Sequence, residues 1–109
     1  MPHIFEGEIK KQIESIRPPV NIRNDLDIGY SFVDYTLEVF EIRPKWDNPS
    51  VKSNSSIAKT KFIKSKNIWK VYWMRGSGKW QLYSPYEECK SLNEFFKILK
   101  EDKHHCFWG

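Results

Sequence analysis

Residues 67–83, NIWKVYWMRGSGKWQLY, hold three of the five tryptophans, Trp69, Trp73 and Trp80, and two of the five tyrosines, Tyr72 and Tyr83. Aromatic and β-branched side chains suit a pleated, half-buried surface. Ile68–Met74 and residues 79–84 are rich in them and have strand length. Between them Gly76-Ser77-Gly78 supplies the positive φ that a tight turn needs. The stretch therefore predicts a β-hairpin. Trp69, Val71 and Trp73 share one face by the strand period of two, and Trp80 and Leu82 share one on the return strand. An even-length loop brings those two sets together. An odd-length loop pairs Trp80 and Leu82 with Tyr72 and Met74 instead, because a slip of one residue exchanges the faces. The even register is preferred here, since it leaves Lys70 and Lys79 on the outer face.

Working outward, residues 57–64 form a third strand, with Ala58, Thr60 and Phe62 on one face and Lys59, Lys61 and Ile63 on the other. Ser65-Lys66-Asn67 turns it into the tryptophan hairpin. Upstream, Leu26, Ile28, Tyr30 and Phe32 alternate as a strand does, and Tyr35, Leu37 and Val39 alternate in the opposite phase. A two-residue turn at Val33-Asp34 reconciles the phases and pairs Phe32 with Tyr35. The same phase carries Glu41 and Arg43 toward the core side, where the strand ends at Pro44. Residues 45–56 contain Asp47, Asn48, Pro49, Asn54 and four serines. They read as an irregular loop, with Trp46 at its entrance plugging the core edge.

Two helices complete the chain. Phe5, Ile9, Ile13 and Ile16 recur at helical spacing in an amphipathic N-terminal segment, residues 1–16, which Pro18-Pro19 ends. Its charges are mixed, which suits a surface helix and not a membrane anchor. Ser91-Leu92-Asn93-Glu94 matches the S-x-x-E capping box. Leu92, Phe95, Phe96 and Leu99 follow at i, i+3, i+4 and i+7, so a helix runs from Leu92 to Glu101. An apolar tail, Cys106-Phe107-Trp108-Gly109, packs back onto the domain. The expected fold class is α+β: one domain, residues 1–109, with a five-strand antiparallel meander sheet and an N-terminal and a C-terminal helix packed on one face.

A chain of 109 residues can bury a core without disulfides or metal. It has two cysteines and neither a signal-like nor a membrane-length apolar run, so it reads as a cytoplasmic protein with free thiols and no membrane partner. From Arg43 to Lys79 there are ten Lys/Arg against one acid, Asp47, while the remainder has eight Lys/Arg against thirteen acids. A basic middle between acidic ends is a polyanion-binding pattern. The bland alternative is a row of lysines that keeps strands from pairing edge to edge.

Three stretches together carry a family resemblance. They are Phe40-Glu41-Ile42-Arg43-Pro44-Lys45-Trp46; then Trp69-Lys70-Val71-Tyr72-Trp73-Met74-Arg75 with Lys79-Trp80 and Tyr83-Ser84-Pro85; then Asp102 with Phe107-Trp108-Gly109. From about Leu26 to Gly109 the chain resembles a bacterial family of small proteins described as domain of unknown function 3024. Its marks are an Arg-Pro-x-Trp element, a W-x-x-Y-W-x-R strand, a Lys-Trp return strand and an aromatic-Gly tail. The resemblance implies no activity, cofactor or catalytic residue.

Catalytic patterns are weak. His104-His105-Cys106, Cys89 and His3 lack the pair spacings of zinc sites. Glu41 and Arg43 with Asp34 and Lys59 or Lys61 would be a loose carboxylate–lysine nuclease centre. Gly76-Ser77-Gly78-Lys79 joins two strands and is a turn, not a phosphate loop. The remaining signal is Lys59, Lys61, Lys64, Lys66, Lys70, Arg75 and Lys79 interleaved with Trp69, Tyr72, Trp73 and Trp80. Sheets that bind single strands stack bases on rings and neutralise phosphates with Lys/Arg. The candidate nucleic-acid site is Lys59, Lys61, Lys64, Lys70, Arg75 and Lys79 with Trp69 and Trp73. A non-enzymatic polyanion-binding module without a cofactor is the leading expectation. A protein-interaction module, including a homodimer through a sheet edge, is the alternative. Two or more hairpin rings open on the basic face favour the first.

Overall fold

The structure, a computed structural model, describes residues 5–108. In chain order they form helix α1 (Glu6–Ile16), strands β1 (Asp27–Val33), β2 (Thr36–Lys45), β3 (Asn48–Ile63), β4 (Ile68–Met74), β5 (Trp80–Leu82) and β6 (Glu88–Cys89), and helix α2 (Leu92–Glu101). The sheet is antiparallel in the order β1-β2-β3-β4-β5, the expected meander. A sixth strand, β6, goes beyond the expectation. It pairs with β4 through Trp69↔Cys89 and Lys70↔Glu88, while β5 occupies the other half of that edge. Tyr83 N–H donates to Val71 O and Val71 N–H to Glu87 O, both at 2.9 Å. A 3₁₀ turn at Ser84–Tyr86, where Pro85 supplies the fixed φ, steps the chain from one half to the other.

Both helices lie on one sheet face and share one core. Ile9 and Ile13 of α1 meet Leu92, Phe95, Phe96 and Leu99 of α2 over Leu37, Val39, Ala58, Trp69 and Val71, all buried. Gln12 Nε2 donates to Asn93 Oδ1 at 3.0 Å between the helices. Ser91 caps α2 as expected, its Oγ accepting Glu94 N–H at 3.2 Å. The Glu94 carboxylate reaches one residue further back than a standard capping box and accepts Lys90 N–H at 2.8 Å.

Helix α1 is tied to the sheet by charge. The Arg17 guanidinium donates through Nε and Nη2 to the two oxygens of Asp27 at 2.9 Å each, and through Nη1 to Glu14 at 2.8 Å. The Arg17 fork holds the Asp27 carboxyl below its usual range, against the opposing pull of partial burial, and Ile28 N–H adds to the lowering. A depressed folded pKa contributes stability above the unfolded value, about 4, that is lost as pH falls through the folded value. Asp27→Asn is thus expected to melt below the parent at neutral pH, with the gap closing as both are titrated below about pH 4. Urea melts of both proteins across pH check this; a gap that stays constant would separate the pair from acid stability.

Two hairpin registers differ from expectation, for identifiable reasons. The first turn is Asp34-Tyr35, with φ of 50° and 60°, and Phe32 pairs with Leu37, not Tyr35. A two-residue hairpin turn needs positive φ at both central residues, which β-branched Val33 resists and Asp tolerates. Moving the turn one residue shifts the register by two, so the faces survive: Ile28, Tyr30 and Phe32 still share a side with Leu37 and Val39. In the tryptophan hairpin the register is the odd one. Met74 pairs with Trp80 and Tyr72 with Leu82. Arg75 N–H donates to Lys79 O and Gly78 N–H to Arg75 O, both at 2.9 Å, closing a three-residue loop with Gly78 at φ 83°.

The expected loop at residues 45–56 is a strand arm instead. Strand β2 continues through Pro44 to Lys45, Trp46-Asp47 makes the turn, and β3 returns from Asn48. Pro44 is tolerated because the arm has no third strand to demand its N–H. At the arm's base Val39 pairs with Ala58 and Phe40 with Ser56, leaving Ile57 as a bulge residue. Bulges bend a strand and raise its twist. The arm lengthens the molecule to 45 × 30 × 24 Å. Trp46, expected at the core edge, is 94% exposed at the tip.

The tail packs back as expected. Asp102 ends α2 in the left-handed region (φ 40°) and is buried. Its carboxylate accepts Phe107 N–H at 3.1 Å and Trp108 N–H at 2.9 Å, and Trp108 Nε1 donates to Leu99 O at 2.8 Å. The Phe107 ring sits 4.8 Å from that of buried Tyr83. Residues 1–4 of the expected N-terminal helix, His3 among them, and Gly109 lie outside the described residues.

Candidate nucleic-acid interface

The helices cover the face bearing Thr60, Phe62, Trp69 and Val71. The period of two turns the alternate residues the other way, and no described element packs there. Lys59 and Lys61 of β3 and Lys70 of β4 come to this outer face. Lys61 stands directly opposite Lys70, and Lys59 opposite Tyr72. Like charges facing across a pair of strands destabilise it. Neither Lys61 nor Lys70 forms an ion pair among the described residues. Lys59 Nζ lies 4.8 Å from the ring centroids of both Tyr72 and Trp80, within the range of a cation–π attraction. The two rings are half-buried, as are Met74 and Leu82 beside them. Acids reach this face at its sides: Glu38 opposite Lys59, engaged by Ser56 Oγ at 2.6 Å, and Glu88 opposite Lys70.

The structure thus divides the candidate residues. Lys59, Lys61 and Lys70 share one face. Lys64 lies in the β3–β4 turn with Nζ 4.1 Å from the Tyr35 ring. Arg75 and Lys79 close the β4–β5 turn at the other end of β4, and Lys79 falls in the phase of Trp73, not of Lys70. Trp69, 2% exposed, is a core ring in edge contact with Phe5 and close to Phe62. Trp73 packs against the core from the same side. Neither is presented to a ligand. The rings on the basic face are Tyr72 and Trp80, and Trp80 is placed there by the odd-length turn. The spacing of Gly76-Ser77-Gly78 carries the signal for that turn: a glycine three residues after Arg75 suits the three-residue loop, which needs glycine at its last position.

Glu41 lies on the helix side of β2, opposite Ser55, and approaches Arg43 Nε at 3.5 Å. Lys59 and Lys61 point through the other face, and Asp34 is in the turn at the far end of β2. The loose nuclease grouping is therefore not assembled. Burial, reinforced by Glu94, pushes the Cys89 thiol up to about 11, so it stays protonated at neutral pH and is a poor nucleophile. Burial and then Asp102 likewise raise Cys106. Both cysteines are free. Among the described residues no group of three or more His, Cys, Asp and Glu gathers as a metal site, and no helix is long and apolar enough to cross a membrane.

No curated protein and no solved structure matches the chain. A family model does, over residues 2–109, so the likeness extends through α1 as well as the segment from Leu26 onward. With that span covered, the chain belongs to the family described as Domain of unknown function (DUF3024).

Proposed function

We propose that the protein is a non-enzymatic module that binds nucleic acid or a similar polyanion on the outer face of its sheet. The observation that carries this reading is Lys61 facing Lys70 on a sheet surface that neither helix covers, beside Lys59 and the rings of Tyr72 and Trp80. Unpaired cations side by side repel each other, and a phosphate between them relieves the repulsion. The rings next to them offer stacking surface to an unpaired base, each such contact worth about 1–3 kcal/mol. Trp69 and Trp73 serve the core in this reading, and Lys64, Arg75 and Lys79 add long-range attraction from the two turns.

Replacing Lys59, Lys61 and Lys70 together by Ala is expected to weaken single-strand binding across sequences. The slope of log K against log salt should flatten by about 0.7 for each phosphate no longer neutralised. Trp80→Ala should weaken single strands more than duplexes, because only unpaired bases stack freely on a ring. Fluorescence anisotropy with single- and double-stranded probes at two salt concentrations reads both effects. A parent protein that binds neither probe at low salt sinks the reading and leaves the lysines as a solubilising face. A stable dimer in the same preparation would favour the interaction module.

A further inference from the structure

The β2–β3 arm is unused by the sheet-face reading. Beyond Ile42↔Asn54, where β1 ends its pairing at Asp27↔Ile42, it is a two-stranded ribbon with no third strand on either edge. Such ribbons have little stability of their own, so one held clear of the core needs a reason to exist. From Ile42 to Trp46 it reaches about 13 Å at the strand rise of roughly 3.3 Å per residue. Arg43 and Lys45 lie in one phase of β2, and Lys52 stands across from Pro44 in the other, so cations occur on both faces. The one acid beyond Glu41 is Asp47. Asn48, Ser50, Ser53, Asn54, Ser55 and Ser56 line the returning strand with amides and hydroxyls. Trp46 caps the tip at 94% exposure.

We infer that this arm enters a groove of duplex nucleic acid, with Arg43, Lys45 and Lys52 against phosphates and Trp46 as an apolar wedge at the bases. The inference rests on the polyanion reading above and gives it a second contact element and a second class of nucleic acid. The dimensions fit: a major groove about 12 Å wide and 8.5 Å deep admits a two-stranded ribbon, and the arm is longer than the groove is deep. The charge fits, since a groove is walled by phosphates on both sides and the ribbon carries cations on both faces. The polar side chains fit, because Ser and Asn donate to phosphates and base edges alike. An apolar side chain at a tip can enter a base step and kink the duplex. A protein partner would ask for a broader apolar patch than Trp46 and half-exposed Val51 provide. A lipid surface would ask for apolar companions at the tip, where Trp46 has Lys45 and Asp47 as neighbours.

The test uses the full chain with a labelled duplex, a labelled single strand and anionic phosphatidylserine vesicles. The variants are Trp46→Ala and the combined Arg43→Ala, Lys45→Ala and Lys52→Ala, their folding checked by thermal melts. The combined variant is expected to flatten the duplex salt slope by about 0.9 per cation removed. Trp46→Ala should weaken duplex binding by about 5- to 150-fold, the range that one ring–base contact spans, with single-strand affinity unchanged. The acrylamide-quenchable fluorescence of Trp46 should be protected at saturating duplex. Arm variants that bind duplex as the parent does, while the Lys59, Lys61 and Lys70 replacement still weakens single strands, overturn the inference and leave the sheet face standing. Duplex binding abolished only in the arm variants, with the sheet-face replacement silent on both probes, supports the arm and removes the sheet face. A parent that binds neither probe removes both. Arm variants that lose only vesicle binding, or only a dimer seen by light scattering, overturn it in favour of a membrane surface or self-association.

Discussion

Phe96→Ala and Phe95→Ala are each expected to cost about 3–5 kcal/mol, the range for truncating a buried aromatic. Both rings are fully buried, their centroids 5.2 Å apart in an edge-to-face pair, and such pairs add about 0.5–1.5 kcal/mol beyond area burial. The site has little room to collapse, because α2 is pinned by its Ser91 cap at one end and by Asp102 at the other. A loss of that size would lower the melting temperature by roughly 12–30 °C for a domain near this length. Thermal and urea melts of either variant that overlay the parent would mean that α2 is not part of the cooperative core.

The C-terminal turn should be the second large contributor. Removing residues 107–109 deletes buried Phe107 from its place against Tyr83 and breaks the Trp108 Nε1 bond to Leu99 O. It also strands the buried Asp102 carboxylate without its two N–H donors. Deleting a core ring costs about 3–5 kcal/mol, and an unsatisfied buried acceptor adds about 1–3 kcal/mol. Asp102→Asn separates the second effect from the first. The two N–H groups approach different oxygens, so an amide puts its NH₂ against one of them, and a loss of about 1–3 kcal/mol is expected. Melting of the truncated chain unchanged from the parent, with Trp108 of the full chain freely quenched by acrylamide, would show a solvated tail.

Features that depend on neighbouring residues alone are legible in the sequence, and α2 is the plainest case. Its cap, stripe and end all lie within eleven consecutive residues, and the interior of a helix hydrogen-bonds to itself. The strand faces around Thr60 and Val71 are legible for a related reason. One side of the sheet is buried, so the apolar positions must alternate. The same alternation separates Lys59, Lys61 and Lys70 from the core.

Register is the harder matter, because it depends on which turn two strands can close. Val33 against Asp34, and one loop residue more or fewer around Gly78, decide it, and the second choice moves Trp80 from the core side to the basic face. The arm escapes sequence reading for another reason. Residues 48–56 bury neither face, so no period is imprinted on them, and their proline and serines imitate a loop. Strand β6 is two residues long, too short to carry a pattern, and exists because β4 has an edge to fill.

The sequence by itself therefore determined the α+β class, the meander, both helices and the sidedness of β3 and β4, all set by local periodicity and capping. Only the tertiary structure decided the turn registers, the ring pair beside Lys59, the clamp of Asp102 on the tail and the exposure of Trp46. Each of these rests on contacts between segments whose own sequence is compatible with more than one arrangement.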